Sequence, residues 1–537
     1  MLIFKKKVMK KSKIITMLGL CVLIILSITG CTAELDKVEL DEDVFSSEAF
    51  YQNESSYKQF LAKLYAGLAV SGQKGANDND SDIEGINSGF GQYLRAFWVM
   101  NEITTDEAII AWADGNLPSL NNQSWASNNE FIYAMFSRCM YQVSVCNEFL
   151  RQTSGEKLAA RNVSQGTRNQ IVAYRAEARF LRAFSYWHLM DMFGNVPFTT
   201  ENDVVGFSFP PQQSRAFMFN YIVGELNAID ADLLASGGNE FGRVDKIAAK
   251  MLLAKVYLNG QVYINQNKFA EASAALAPVL SSTYSINTSS SYGKVFMADN
   301  DINGSQSEMI FPIRYNGINT TTYGGTTFIT HAAVGGSMNP AAFGINGGWF
   351  GLRTRQEFVA KFAGDPRGMF FTTGQTLSIG NIGNFGDGLA VQKFKNIKST
   401  GGAGSDVSGN FVDIDFPVFR LADAYLMYAE LAARGQGSTS QAATYVNTLR
   451  TRAGAPAVTA ANITLDFVLD ERAKELYWEG HRRQDLIRFG KYTGASYNWQ
   501  WKGGVQAGTS VDDKYKLFPI PAVAIGANPT LQQNPGY

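Results

Sequence analysis

Histidine, cysteine and charge are all scarce in this chain. Three His and four Cys in 537 residues are too few for a structural zinc module with the usual ligand spacings. Charged residues make up 18% of the chain and the net charge is −1. Beyond the N-terminus there is no block of Lys and Arg. A nucleic-acid binder needs such a basic footprint, so that class is set aside. His188, His331 and His481 are scattered, and neither GxSxG nor HExxH occurs, so no nucleophile elbow or zincin motif is present. Hydrophobic residues, by contrast, reach 45%, which supports a real core and argues against disorder. Aromatics and glycine are plentiful, with 36 Phe, 23 Tyr, 8 Trp and 51 Gly. The length allows one large domain or several ordinary ones.

The N-terminus carries an address. Lys5, Lys6, Lys7, Lys10, Lys11 and Lys13 precede an apolar run from Ile14 to Ile28, which ends in Ile28-Thr29-Gly30-Cys31. A membrane-spanning helix needs ~20 apolar residues, and this run is shorter. Basic flank, short run and small residues before the cut site read as a signal peptide over residues 1–30. The last four residues match a bacterial lipobox, so Cys31 becomes the acylated first residue of a lipoprotein, carrying palmitate or a related chain. The competing reading is an uncleaved anchor helix. Removal of residues 1–30 takes away six lysines and no acid, so the net charge of −1 becomes −7. Residues 31–45 follow as an acidic tether, with Glu34, Asp36, Glu39, Asp41, Glu42 and Asp43 against Lys37 alone.

Cys21 leaves with the signal peptide. Cys139 and Cys146 are seven residues apart in a helical pattern, about 10 Å along one helix. A disulfide needs Cα atoms within about 7 Å. Two buried free thiols are expected, acting as small hydrophobes.

Residues 46–537 read as one domain in three zones. From 46 to 299 the pattern is helical. In Arg175–Asp191 the residues Ala176, Phe180, Ala183, Phe184 and Trp187 recur at three- and four-residue steps, the mark of a stripe facing a core. Val244–Leu258 and the segment from Lys268 repeat the pattern. Paired helices with small Ala contacts suggest tetratricopeptide-like hairpins. Residues 300–410 hold 21 of the 51 glycines and little periodicity. Long segments of that kind are functional loops or disorder, and the embedded aromatics favour ordered loops that carry the ligand surface. Residues 411–537 return to helix, with stops at Gly435 and Gly454, a long amphipathic segment from Leu465 to Tyr492, and an extended Pro-containing tail. The fold class is therefore mostly α, a helical-hairpin scaffold with long irregular Gly-rich loops. In "TTDEA", Thr104 and Glu107 have capping-box spacing, which makes Asp106 and Glu107 helix-start charges rather than catalytic acids.

The lipobox, "RFLRAFSYWHLMDMFGNVP", "RLADAYLMYAE", "VNTLRTRAG", "DERAKELYWEGHRRQDLIRFG" and "NPTLQQNPGY" together resemble the SusD/RagB family over essentially the whole mature chain. The resemblance implies a lipid-anchored outer-membrane protein that binds oligo- or polysaccharide and lies over a SusC-like TonB-dependent transporter. It implies no catalysis and no nucleic-acid partner. "WVMNEITTDEA" and "INTTTYGGTTF…NGGWFGLRT" are similar to stretches of the starch-binding founding member. Carried across, Trp98, Asn101, Tyr323 and Trp349 form the carbohydrate site, with α-glucan as the preferred cargo.

The chemistry suits those residue types. A sugar has an apolar C–H face for a flat aromatic ring and a hydroxyl rim for amides, which both donate and accept. Tyr323, between threonines and a Gly-Gly pair, reads as exposed, and Trp349 among glycines reads either as exposed or as a loop anchor buried in the core. Trp98 in "YLRAFW" reads equally well as a helix face packed inward, and Asn101 as an ordinary turn residue. Asp413 and Asp415 lie on one side of an extended segment, and Asp299 matches a family position that completes a set. These three are the candidate ligands of a structural calcium ion, a hard cation that takes several oxygens. Their other reading is exposed carboxylates at a strand start.

Two further functions stay open on the sequence. A surface glycoside hydrolase needs two carboxylates ~5–9.5 Å apart across the scissile bond. A helical-repeat adaptor would bind a protein and no sugar. Non-starch glycans and peptides are alternative cargoes.

Overall fold

The helices start where side chains capture orphan backbone N–H groups. Asn129 accepts from Phe131 and Ile132 at the head of α1 (Glu130–Gln152). Ser164 accepts from Thr167 at the head of α2 (Gln165–Phe193). Ser214 and Asp245 do the same for α3 (Arg215–Ala228) and α4 (Lys246–Leu258). These short polar caps stabilise a helix end by about 1 kcal/mol each.

The computed structural model describes residues 47–73, 75–76, 81–206 and 209–537. The lysine-rich segment, Cys31 and the acidic tether lie outside the described residues. The chain divides into two units, 1–57 and 58–537. In the first, the described residues form a short helix, Ser47–Phe50. The second holds the rest of the fold.

The second unit is mostly helical. Consecutive helices pack as pairs: α1 on α2, α2 on α3, and α4 on α5 (Phe269–Leu280). After the loop zone, α7 (Leu421–Ala433) packs on α8 (Thr439–Ala453) and α9 (Leu465–Leu476), and α5 packs on α7. Between these sets stands α6 (Gly325–Ala332). Small residues allow the close helix approach: Ala422, Ala429, Ala442 and Ala443 share one core with Leu426, Val446, Leu449 and Val468. Each large apolar side chain buried there contributes roughly 1.5–3 kcal/mol. Cys139 and Cys146 are buried free thiols on α1, as their spacing requires.

Among the described residues strand structure is sparse, made of two-stranded pairs and isolated bridges. The longest joins β1 (Met309–Ile313) to β2 (Phe416–Arg420), antiparallel, with Met309 opposite Arg420 and Ile313 opposite Phe416. This pair fixes both ends of the loop zone to the helical scaffold. Arg420, at the end of β2, donates to Glu475 at 2.7 Å and Glu479 at 2.6 Å. Arg367 and Arg452 also reach Glu475. All five groups are buried. Buried charges are tolerated only when paired in this way.

Two local expectations are corrected. The segment from Leu465 to Tyr492 is not one helix but α9 followed by α10 (Arg482–Arg488). Between them Trp478 and Gly480 take left-handed backbone conformations, φ +63° and +83°. Their N–H groups leave the helix to donate to Glu107 and Glu102. The second correction follows from the first. No helix starts at Thr104. Asp106 is instead clamped by Arg482, at 2.7 and 2.8 Å, and by the Tyr497 hydroxyl at 2.6 Å. The spacing of a capping box was present, but tertiary partners claimed the carboxylates.

Candidate functional site

The loop zone presents aromatic side chains at its surface. Trp349 sits in a hairpin-like loop whose backbone is held tightly to α6 and the turn after it. The Trp349 N–H donates to the His331 carbonyl at 2.8 Å, and Phe350 N–H to the Val334 carbonyl at 3.0 Å. A Cβ on Gly348 would lie 2.2 Å from the Val334 carbonyl oxygen, so only glycine permits this approach. Phe350 turns the loop with φ +55° and is half exposed.

Four rings converge there. Tyr323 and Trp349 have centroids 6.2 Å apart, Tyr323 and Phe411 5.4 Å, and Trp112 and Trp349 6.4 Å. Tyr323 is 42% exposed, and Trp112, Trp349 and Phe411 are partly exposed. Partly exposed aromatic rings in one cluster mark an interaction surface. Trp112 and Tyr323 are tied to their surroundings by hydrogen bonds. Trp112 donates from its indole N–H to the Trp349 carbonyl at 3.0 Å. Arg95, itself buried, donates to the Tyr323 carbonyl at 3.1 Å while lying 4.4 Å from the Phe328 ring centroid. Amides border the rings: Asn346 and Asn410, both exposed, bond to one another at 2.7 Å on the loops that carry Trp349 and Phe411.

The structure thus brings Tyr323 and Trp349 together and leaves the other two sequence candidates elsewhere. Trp98 and Asn101 are fully buried. Trp98 meets Trp478 and Phe328 edge to face, and the Asn101 amide donates to the Phe97 carbonyl at 2.9 Å. Neither offers a face to a sugar. The inward helix face of "YLRAFW" won, continued by a π-helical turn over Val99–Ile103 that turns Asn101 into the core. Trp112 and Phe411 were missed. A Trp just before the turn signal Asp114-Gly115-Asn116 was the available clue for the first; nothing in sequence spacing marks the second.

The three calcium candidates do not all gather, although, beyond burial, the carboxylates of Asp301 and Asp413 lie near enough to push the Asp415 carboxyl up. Asp299 accepts from Ser399 N–H and hydroxyl. Asp413 accepts from Gly317 N–H at 2.7 Å and from Ser405. Asp415 is buried and accepts from Tyr315 N–H at 2.7 Å. Among the described residues no three His, Cys, Asp or Glu side chains are placed to share a metal ion. These carboxylates instead organise turns by accepting backbone N–H groups. The expectation that they are simply exposed fails too for Asp299 and Asp415, which are both buried.

Comparison with known proteins settles the family. The family model described as SusD family matches residues 360–537. The starch-binding protein SusD of Bacteroides thetaiotaomicron is 33% identical over 95% of this chain and 96% of its own. The chain belongs to the SusD family. Solved structures agree on the fold. This SusD-family chain matches surface glycan-binding protein A from Bacteroides uniformis with a TM-score of 0.68 at 22% identity, over 90% of this chain and 99% of that one. It matches surface glycan-binding protein A from Bacteroides thetaiotaomicron, solved in complex with laminarihexaose, with a TM-score of 0.66 at 20% identity, covering 89% and 98%.

Proposed function

We propose that this chain is a non-enzymatic, cell-surface glycan-binding lipoprotein. Cys31 anchors it by lipid to the outer membrane. It captures oligo- or polysaccharide on the Tyr323–Trp349–Trp112–Phe411 surface and hands it to a SusC-like TonB-dependent transporter. The observation that carries the reading is the meeting of Tyr323 and Trp349 at 6.2 Å, flanked by two further rings and by the Asn346 and Asn410 amides. Aromatic faces suit sugar C–H faces, and amides suit hydroxyls. α-Glucan is the preferred cargo, supported by the 33% identity to a starch-binding protein over nearly its whole length. No described helix is long and apolar enough to cross a membrane.

The test is native affinity electrophoresis of residues 32–537 through gels that each contain one polysaccharide: starch, levan, xylan, xyloglucan, chitosan or mucin glycans. Starch should retard the protein, and Trp349→Ala should migrate freely. Retardation by a different glycan, lost in the same variant, would keep the platform and discard α-glucan. Free migration in every gel would overturn glycan capture. Release of reducing ends from the retarding polysaccharide would overturn the non-enzymatic reading.

A further inference from the structure

His331 lies beneath the aromatic surface and touches none of the solvent in front of it. It is fully buried, in the last turn of α6. Its ring stacks on Trp349 with centroids 4.7 Å apart and an interplanar angle of 23°. Nδ1 is 2.8 Å from the Gly347 carbonyl oxygen. A carbonyl only accepts, so Nδ1 carries the proton and Nε2 is the bare nitrogen. Nε2 is buried without a hydrogen-bond partner, and the backbone of Gly409 and Asn410 also interacts with the ring. The backbone of the same residue also holds the loop, through Trp349 N–H to the His331 carbonyl at 2.8 Å.

One residue therefore grips the Trp349 loop three times: under the indole, at Gly347 and at the Trp349 N–H. It also touches the second loop, 406–411, which carries Phe411. The two loops are joined a second time by Asn346 N–H to the Gly409 carbonyl at 3.1 Å. Burial of the imidazole pushes its pKa down, so the ring is neutral at neutral pH and stacks as a flat, uncharged plate.

We infer that His331 is the positioning residue of the glycan surface: it fills one face of Trp349, fixes the tilt of the indole, and leaves the opposite face as the only one that a sugar ring can cover. The functional part of this inference rests on the glycan-capture reading; the part about the indole does not. A buried imidazole with an unpartnered nitrogen costs stability. A Leu or Phe at this place would avoid that cost, and the Nδ1–Gly347 bond explains the imidazole only if the position of the loop matters.

The experiment uses residues 32–537 labelled with 5-fluorotryptophan. The Trp349 ¹⁹F resonance is assigned by its disappearance in Trp349→Phe. His331→Ala should move and broaden that resonance and leave those of the buried Trp98 and Trp478 in place. Affinity for the retarding glycan should fall roughly three- to tenfold, the size expected when an aromatic stacking partner is lost. His331→Phe keeps a flat ring under the indole and should recover most of the affinity; His331→Asn keeps a donor but no ring and should not. An unmoved Trp349 resonance with wild-type affinity in His331→Ala would overturn the inference. So would failure of His331→Phe to recover affinity while melting at the wild-type temperature. Should the wild-type protein bind no glycan at all, capture fails as a function, and the ¹⁹F resonance alone still decides whether His331 sets the indole.

Discussion

The Trp98 indole N–H donates to the Trp478 carbonyl at 2.9 Å, across 380 residues of chain. The two rings also meet edge to face, with centroids 5.2 Å apart at 81°. Trp478 is the residue that ends the α9 direction with a positive φ, so this contact ties the N-terminal helices to the turn between α9 and α10. Trp98→Ala removes a buried indole and strands a buried carbonyl. It should cost about 3–5 kcal/mol in chemical denaturation. Its folded fraction should still bind glycan, since Trp98 has no exposed face. Loss of binding at unchanged stability would return Trp98 to the site.

Tyr323 and Trp349 should separate from Trp98 in the opposite sense. Each is partly exposed on the surface, so Tyr323→Ala and Trp349→Ala should change the melting temperature little. Each should weaken glycan binding by roughly 1–3 kcal/mol, the range for loss of an aromatic stacking platform in the analogous nucleobase case. Isothermal titration alongside thermal melts measures both effects on the same samples.

Asp415 gives a pH dependence with a definite sign. Burial pushes its carboxyl up to about 7, and the Tyr315 N–H bond offsets only part of that. The folded protein thus holds a proton between about pH 4 and 7 that the unfolded chain has released. Stability falls as pH rises through this window, and the loss is complete above about 7. Asp415→Asn should flatten the decline between pH 5 and 8. Equal slopes in the two proteins would show that another group is responsible.

Glu475 acts at the other end of the scale. Burial alone would raise its carboxyl, but the guanidiniums of Arg452, Arg420 and Arg367 overcome burial and hold it at about 2. Its contribution is present above the ordinary carboxylate range and is lost as pH falls towards 2. Glu475→Gln leaves three buried guanidiniums short of an anion and should cost about 3–5 kcal/mol at neutral pH. The difference from wild type should shrink on acidification, as urea titrations at pH 7 and pH 3 will show.

Burial pushes the Cys139 and Cys146 thiols up to about 12. Residues 32–537 should show no reactive thiol towards a thiol-specific chromophore in the native state and two after denaturation. A native thiol that reacts at once would mean that α1 opens locally.

The helical scaffold is legible from local pattern alone. Stripe spacing in Arg175–Asp191 and Val244–Leu258, and the Gly454 stop, are consequences of local periodicity and backbone freedom, so helices occupy these places, the first extending back to Gln165. Separation of the scaffold from a Gly-rich loop zone was legible for the same reason, as was the exposure of Tyr323 among glycines. The side on which each aromatic lies depends on long-range packing. Trp98 and Trp349 are the same residue type, and local spacing assigns neither to core or surface. A π-helical turn and Trp478 bury the first, whereas the clamp of His331 and Val334 carbonyls on the loop backbone sets the second at the surface. Glu102, Asp106 and Glu107 tell the same story. Their partners Gly480, Arg482 and Trp478 lie more than 370 residues away. Capping boxes and carboxylate pairs are spacings, and a spacing cannot record which distant donor will arrive to use it.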